Sequence, residues 1–321
     1  MSSMTSLSPI SPISVKSSDN WYKSYAFVTL VMKSDKYIAG ALVLAESLRR
    51  TRTMCSLVCM VTSDVSCCAV KALKKWYDYV WTVPYIRHRC VRFRTRRQRD
   101  LYEEWIESSF TKWNCLNQQM FGRFDKVLFI DADMMTIVNC DQQIFSLEPP
   151  AMTFSLPWAK PYSPHGIDNP YGELKHGSDV DIELLKRGFH SFLGIGSLVL
   201  LRPDQRMFHQ MLNILRKDFY FGSNDCFSGF DEQLICGTYL SQKQTFRHIH
   251  QCYNWCVSKW EWLSAAGEGD TQPKIVHFYG DQKPWFTSRD YQWSDTSQWW
   301  TFADHIITID HSVRVFFEID F

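Results

Sequence analysis

The chain has 321 residues, 45% of them apolar, which suits one large α/β domain with a sizeable core. Lys plus Arg total 35 against 34 Asp plus Glu, and that balance argues against a dedicated nucleic-acid binder, which carries a basic excess. No run of about 18 apolar residues occurs, so no membrane span is expected.

Residues 1–20 are rich in Ser and Pro and lack the apolar stretch of a signal peptide, so they read as a disordered tail before a single domain over 21–321. Eleven cysteines without a secretion signal fit free thiols in a reducing, cytoplasmic setting. Cys252 with Cys256 and Cys67 with Cys68 lack the spacing of zinc knuckles. The 13 Trp and the 15% aromatic content suit core packing better than sugar stacking.

Tyr25 to Val31 is β-branched and aromatic and predicts a buried strand. Tyr37 to Arg50 has apolar residues at helical spacing, Leu57 to Thr62 predicts a second strand, Val65 to Tyr77 a helix, and Tyr79 to Val83 a third strand. That alternation is the signature of a parallel sheet with crossover helices. Arg87 to Arg99 is a basic run, read as a solvated loop, as a mobile segment over a phosphate-bearing ligand, or as a nucleic-acid contact, the last weakened by the neutral overall charge. Phe110 to Met120 predicts a helix and Asp125 to Ile130 a strand ending in Asp131-Ala132-Asp133. The proline-rich stretch 149–176 reads as an irregular insertion. Leu198 to Leu201 and Lys274 to Tyr279 predict strands, Asp204 to Lys217 and Phe230 to Tyr239 helices.

Asp131 and Asp133 are the centre of the chemistry. Ligands of open α/β sheets gather at the carboxyl ends of strands, and alternate positions of an extended chain project to one side. Two such carboxylates repel unless a cation or protons hold them, and magnesium or manganese suits oxygen ligands and bridges to phosphates. A bare DxD is a common tripeptide, and a solvated turn is its bland alternative. A second cluster follows another apolar strand: His277 could complete a manganese site, Gly280 could admit a phosphate close to the backbone, and Lys283 could neutralise it. Gly194-Ile195-Gly196 lacks the third glycine of a dinucleotide loop and precedes its strand, so that reading fails.

Three blocks in order resemble the glycogenin-like glycosyltransferases, family 8 in the usual classification. They are Ala26 to Leu30 with Tyr37 and Gly40 to Leu44; Asp131-Ala132-Asp133 with Asn139 and Asp141; and His277, Gly280, Lys283, Pro284 and Trp285. The resemblance spans about residues 24–290, and His165 to Asp168 further resembles the branch found in large DNA viruses of insects. It implies a GT-A type nucleotide-sugar fold, α/β with a central mostly parallel sheet flanked by helices. The implied divisions are a nucleotide-binding half over about 24–148, an acceptor half over about 149–290 and an extension over 291–321. It implies a retaining hexosyltransferase using a UDP-sugar and Mn2+ or Mg2+, with an acceptor not identified by the resemblance. Asp131, Ala132 and Asp133 would bind metal and ribose-phosphate, His277 would be the third metal ligand, and Gly280 and Lys283 would hold the diphosphate. Leu30 and Tyr37 would line the uracil pocket, while Lys112, Glu232 and Gln233 would serve the donor sugar.

The chain departs from the family at Ile195, where a sugar-contacting Asn is expected, which leaves the sugar open. The self-glucosylated Tyr of glycogenin would fall near Glu261, so self-glucosylation is not expected. A catalytically weak or inactive nucleotide-sugar-binding protein is the alternative function. A metal-dependent phosphohydrolase lacks a nucleophile or second metal cluster. No nucleic-acid or membrane partner is expected, and the oligomeric state is open, a homodimer included.

Overall fold

A computed structural model describes residues 22, 24–90, 96–154, 174–188, 193–217, 230–256, 272–280, 283–287 and 294–318. The first half alternates strand and helix: β1 (Tyr25–Val31), α1 (Ile38–Arg50), β2 (Ser56–Val61), α2 (Cys67–Leu73), β3 (Tyr79–Thr82), α3 (Arg96–Tyr102), α4 (Gln118–Phe121) and β4 (Lys126–Ile130). There follow β5 (Met134–Thr136), α5 (Asp141–Phe145), β6 (Ala151–Thr153), α6 (Ile182–Gly188), β7 (Ile195–Leu201), α7 (Gln205–Leu215) and α8 (Phe230–Ser241). The chain ends with β8 (Arg247–His248), β9 (Trp255–Cys256), β10 (Ile275–His277) and α9 (Ser294–Ile309).

Seven strands form one sheet in the order β3-β2-β1-β4-β7-β6-β8, and a second sheet runs β5-β10-β9. The pairs β1–β2, β2–β3 and β1–β4 are parallel, whereas β7 runs antiparallel to both β4 and β6. The central β1 is buried along almost its whole length because it is covered on both faces, which is why it reads as a continuous apolar run. Its residues alternate between two cores: Phe27 and Val31 pack with α1, while Ala26 and Val28 pack with Trp113 and Phe129 on the other face.

The strands and helices expected from apolar patterning in the first half are present with small changes at their ends. Two segments differ. Ile106–Leu116 is a 3-10 helix, not the α-helix expected from Phe110 to Met120, and α4 follows it after Asn117 caps Gln119. Within the basic run, Arg96–Tyr102 is helical; Arg96 and Asp100 sit one turn apart at 3.8 Å, and Tyr102 packs edge-on against Trp105. Residues 91–95, and His165 to Asp168 within the proline-rich stretch, lie outside the described residues. No described helix is long and apolar enough to cross a membrane.

The extension over 291–321 contributes α9, which lies on α1. Glu46 of α1 is buried and accepts from Arg50 at 2.6 Å and faces His305 Nδ1 at 2.7 Å. Trp299 of α9 stacks obliquely on Trp285 with centroids 5.5 Å apart. Trp285 in turn packs edge-on against Tyr37 at 5.4 Å, so the extension backs the residues at the strand ends.

Candidate active site

β4 delivers Asp131 to the carboxyl end of the sheet. The chain turns there instead of continuing as a strand: Asp131 N–H donates to Ser197 O at 2.9 Å, and Met134 N–H returns to Asp131 O at 3.2 Å before β5 begins. The two carboxylates therefore converge through a turn, not through strand alternation as the sequence suggested. β5 then pairs antiparallel with β10, with Met134 opposite His277, and Phe278 N–H donates to Asp133 O at 3.0 Å. This register brings ligand atoms of Asp131, Asp133 and His277 within 4.8 Å of one another. It is the one such group of three His, Cys, Asp or Glu among the described residues.

The donor set fits a divalent ion: two carboxylates and one imidazole suit manganese, and carboxylate oxygens suit magnesium. Asp133 Oδ1 is shut from solvent, with His277 Nε2 at 3.5 Å. His277 Nδ1 faces Ser197 Oγ at 3.3 Å, and that hydroxyl donates to Asn254 Oδ1 at 3.1 Å. Such an outer partner fixes the ring's orientation.

Two lysines balance the acids. Lys283 Nζ bonds Asp133 Oδ2 and donates to Phe278 O at 2.7 Å. Burial opposes charge on Asp133, but Lys283 and His277 outweigh it and hold its carboxyl well below the usual range. Lys112 Nζ lies 2.7 Å from Asp231 Oδ2, 3.6 Å from Asp131 Oδ1 and 3.5 Å from Gly196 O. Burial opposes the Lys112 charge as well, yet Asp131 and Asp231 prevail and raise its pKa. Asp131 goes the other way: burial raises it against Lys112, and the nearby Asp133 adds to the rise.

Glu232, in the first turn of α8, accepts from Gly196 N–H at 2.8 Å through Oε1. Gln233 beside it is buried. Tyr37 packs between Lys283, whose Nζ is 5.9 Å from its ring, and Trp285; burial pushes its hydroxyl up to about 12. Leu30 is half-buried at the end of β1 and packs with the core on the Trp113 face. Ala132 is buried in the turn between the two acids.

Gly280 adopts φ +90, and a Cβ there would meet nothing within 4 Å. The glycine thus serves the turn's left-handed backbone and leaves the space beside it open. Asn139 and Asp141 stand apart from the acids: Asp141 accepts from Thr53 Oγ1 and from Met54 N–H at 2.9 Å, and Asn139 Nδ2 donates to Thr51 O at 3.0 Å. They tie the loop after β5 to the turn after α1. Ile195 is half-buried at the start of β7. Asp281 and Gln282 lie outside the described residues.

Sequence reasoning overlooked Asp231, Ser197 and Asn254. Asp231 stands in the same Asp-Glu-Gln tripeptide that drew attention to Glu232, and a buried Lys112 demanding a counter-charge was the missing signal. Ser197 and Asn254 carry no pattern of their own and become meaningful only once β7 lies beside β4.

No protein-family model matches the chain. The uncharacterized protein R707 of Acanthamoeba polyphaga mimivirus is 24% identical over 274 residues, covering 82% of this chain and 83% of that protein. Glycogenin-1 of Oryctolagus cuniculus is 27% identical over 263 residues, which is 81% of this chain and 65% of the glycogenin. A solved structure of an active-site mutant of LgtC superposes with a TM-score of 0.55 at 11% identity, covering 90% of this chain and 99% of that one. The resemblance to glycogenins therefore holds over most of the chain, and the fold is the expected GT-A type, a mostly parallel sheet flanked by helices. The viral relative comes from an amoebal virus; placement among insect viruses stays an expectation.

Proposed function

We propose that this chain is a retaining glycosyltransferase that moves a hexose from a UDP-sugar to a hydroxyl-bearing acceptor, with manganese or magnesium held by Asp131, Asp133 and His277. The observation that carries this reading is the convergence of those three side chains, from the end of β4 and from β10, beside Lys283 and an open glycine turn. Both glycogenin-1 and the galactosyltransferase LgtC lie among the proteins this chain resembles, which supports sugar transfer as the reaction class.

When bound, the divalent ion supplies positive charge to the diphosphate of the donor as the sugar bond breaks. Lys283 adds a fixed cation on the same side, preorganised by Asp133 and Phe278 O and so needing little rearrangement. Gly280 leaves room for phosphate oxygens to approach the backbone. Leu30, at the end of β1, and Tyr37, just before α1, line the uracil side. Lys112, Asp231, Glu232 and Gln233, on the opposite core's elements, face the transferred sugar. Lys112 links the two groups, since it reaches both Asp131 and Asp231.

The test is a screen of UDP-sugars for metal-dependent hydrolysis, which needs no knowledge of the acceptor. UDP release in manganese, abolished by a chelator, is the expected result. UDP binding without release from any sugar supports the alternative of an inactive nucleotide-sugar-binding protein, and no binding at all overturns both.

A further inference from the structure

We propose that Glu232 acts as a neutral carboxylic acid that donates a hydrogen bond from Oε2 to a hydroxyl oxygen of the transferred sugar. The inference rests on the transferase reading above and assigns this side chain a chemical role within it.

The geometry separates the two carboxyl oxygens. Oε1 is fixed by Gly196 N–H at 2.8 Å. Gly196 is a glycine for that contact: a Cβ there would stand 2.8 Å from Oε1 and 2.9 Å from both Cδ and Cγ of Glu232. Oε2 is closed to bulk solvent and makes no hydrogen bond among the described residues. A buried oxygen in that condition is costly unless a partner arrives with the ligand.

The surroundings decide which form the oxygen takes. The cation bearing on Glu232 is Lys112, and it is already engaged by Asp231 at 2.7 Å and by Asp131 at 3.6 Å. Asp231 is adjacent in the chain and repels a second negative charge. Burial first, and Asp231 second, push Glu232 up to about 8 against the pull of Lys112 and of Gly196 N–H. Near neutrality the group is mostly a carboxylic acid, a donor at one oxygen and an acceptor at the other. Oε1 already accepts, so the proton belongs on Oε2.

Position links this donor to the reaction. Gly196 offers its N–H to Glu232 and its carbonyl to Lys112, while the next residue, Ser197, holds Asp131 N–H through its carbonyl and His277 through its hydroxyl. Two consecutive residues of β7 therefore run between Glu232 and two of the three proposed metal ligands, Asp131 and His277. A group beside the leaving diphosphate on that strand meets the sugar, and a sugar hydroxyl supplies the lone pair that Oε2–H lacks. A neutral acid has no carboxylate charge with which to attack the anomeric carbon, so this side chain reads the sugar and does not form a bond to it.

Two measurements on the full chain test the proposal. The first is difference infrared spectroscopy between the wild type and Glu232→Gln. The carbonyl stretch of a protonated carboxylic acid should be present in the wild type at neutral pH, absent in the variant, and lost on titration through about pH 8. A carboxyl that is ionised throughout overturns the proposal. The second is hydrolysis of UDP-glucose and UDP-galactose in manganese. Loss of one preorganised donor in Glu232→Ala should cost about 100-fold on the preferred sugar and narrow the preference. Glu232→Gln, whose amide still donates, should retain at least about tenfold more activity than Glu232→Ala and lose the alkaline decline of the wild-type profile. A Gln variant no better than the Ala variant overturns the proposal. A wild type with the infrared band but no hydrolysis of any sugar in the UDP-sugar screen overturns the donor role together with the transferase reading, whereas hydrolysis without the band overturns this inference alone.

Discussion

Gly40 of α1 passes so close beneath Ala132 that a Cβ there would stand 2.5 Å from the Ala132 carbonyl oxygen and 2.7 Å from the ring of Trp285. The helix, the acidic turn and the closing tryptophan meet at that one point. Gly40→Ala must displace backbone, not merely a flexible side chain. We expect a loss of about 1–3 kcal/mol in urea unfolding, as for other overpacked cores, and weaker manganese-dependent UDP binding by calorimetry. Wild-type values for both would show that the contact is not maintained.

Asp131→Asn and Asp133→Asn should both abolish UDP release and weaken UDP binding in manganese, but their stabilities should differ. Lys112 keeps Asp231 when Asp131 is neutralised. Lys283 has no second carboxylate in contact among the described residues when Asp133 is neutralised, and both partners of that pair are nearly excluded from solvent. Removing one partner of a buried pair costs about 3–5 kcal/mol, so Asp133→Asn should unfold at clearly lower urea than Asp131→Asn. Equal midpoints would contradict the asymmetry, and full activity in both variants would remove the metal assignment.

Tyr253 is 3% exposed, and its hydroxyl lies 3.3 Å from Lys274 Nζ. A phenol in that setting cannot present its oxygen to a sugar. Incubation with UDP-glucose and manganese should leave the intact mass of the chain without hexose additions at Tyr253; peptide mapping of a modified Tyr253 would refute this. Residues 257–262 lie outside the described residues.

His248 is fully buried, accepts from Phe154 N–H at 3.2 Å, and is pushed down to about 3 by burial and by the nearby His250 and His176. Its folded pKa lies below its unfolded one, so the unfolded chain takes up a proton that the folded chain refuses. Stability from this group is therefore complete above about pH 6.5 and falls as pH drops toward 3, by up to about 1.4 kcal/mol per unit. His248→Gln should flatten the decline in urea midpoint between about pH 6.5 and about pH 5. An unchanged slope would place the acid sensitivity elsewhere.

How much of this was legible follows from how each element is stabilised. β1, β2 and β4 are buried on both faces and announce themselves as apolar runs. β5, β6, β8 and β9 are two or three residues long, too short for any period, and exist because neighbours supply their hydrogen bonds, whereas the equally short β10 showed as the apolar run Lys274 to Tyr279. The acids and His277 could be named from residue type and position after apolar runs. Their convergence could not, because it depends on β5 pairing with β10 in one register. Lys112 was found through family resemblance, whereas its partner Asp231 required knowing that α8 packs beside the 3-10 segment. The helix in the basic run was hidden by its charge, which speaks against compact structure until Tyr102 and Trp105 are seen to pack.

The pairing of Met134 with His277 also sets an order of events during synthesis. The two acids emerge from the ribosome long before the imidazole and lysine that complete their surroundings. Until the later strand is made, Asp131 and Asp133 lack His277 and Lys283, and the proposed seat for a cation is incomplete. On the proposed reading, chains that stop short of β10 would lack one of the three metal ligands, and competence would arrive with the closing segment of the fold.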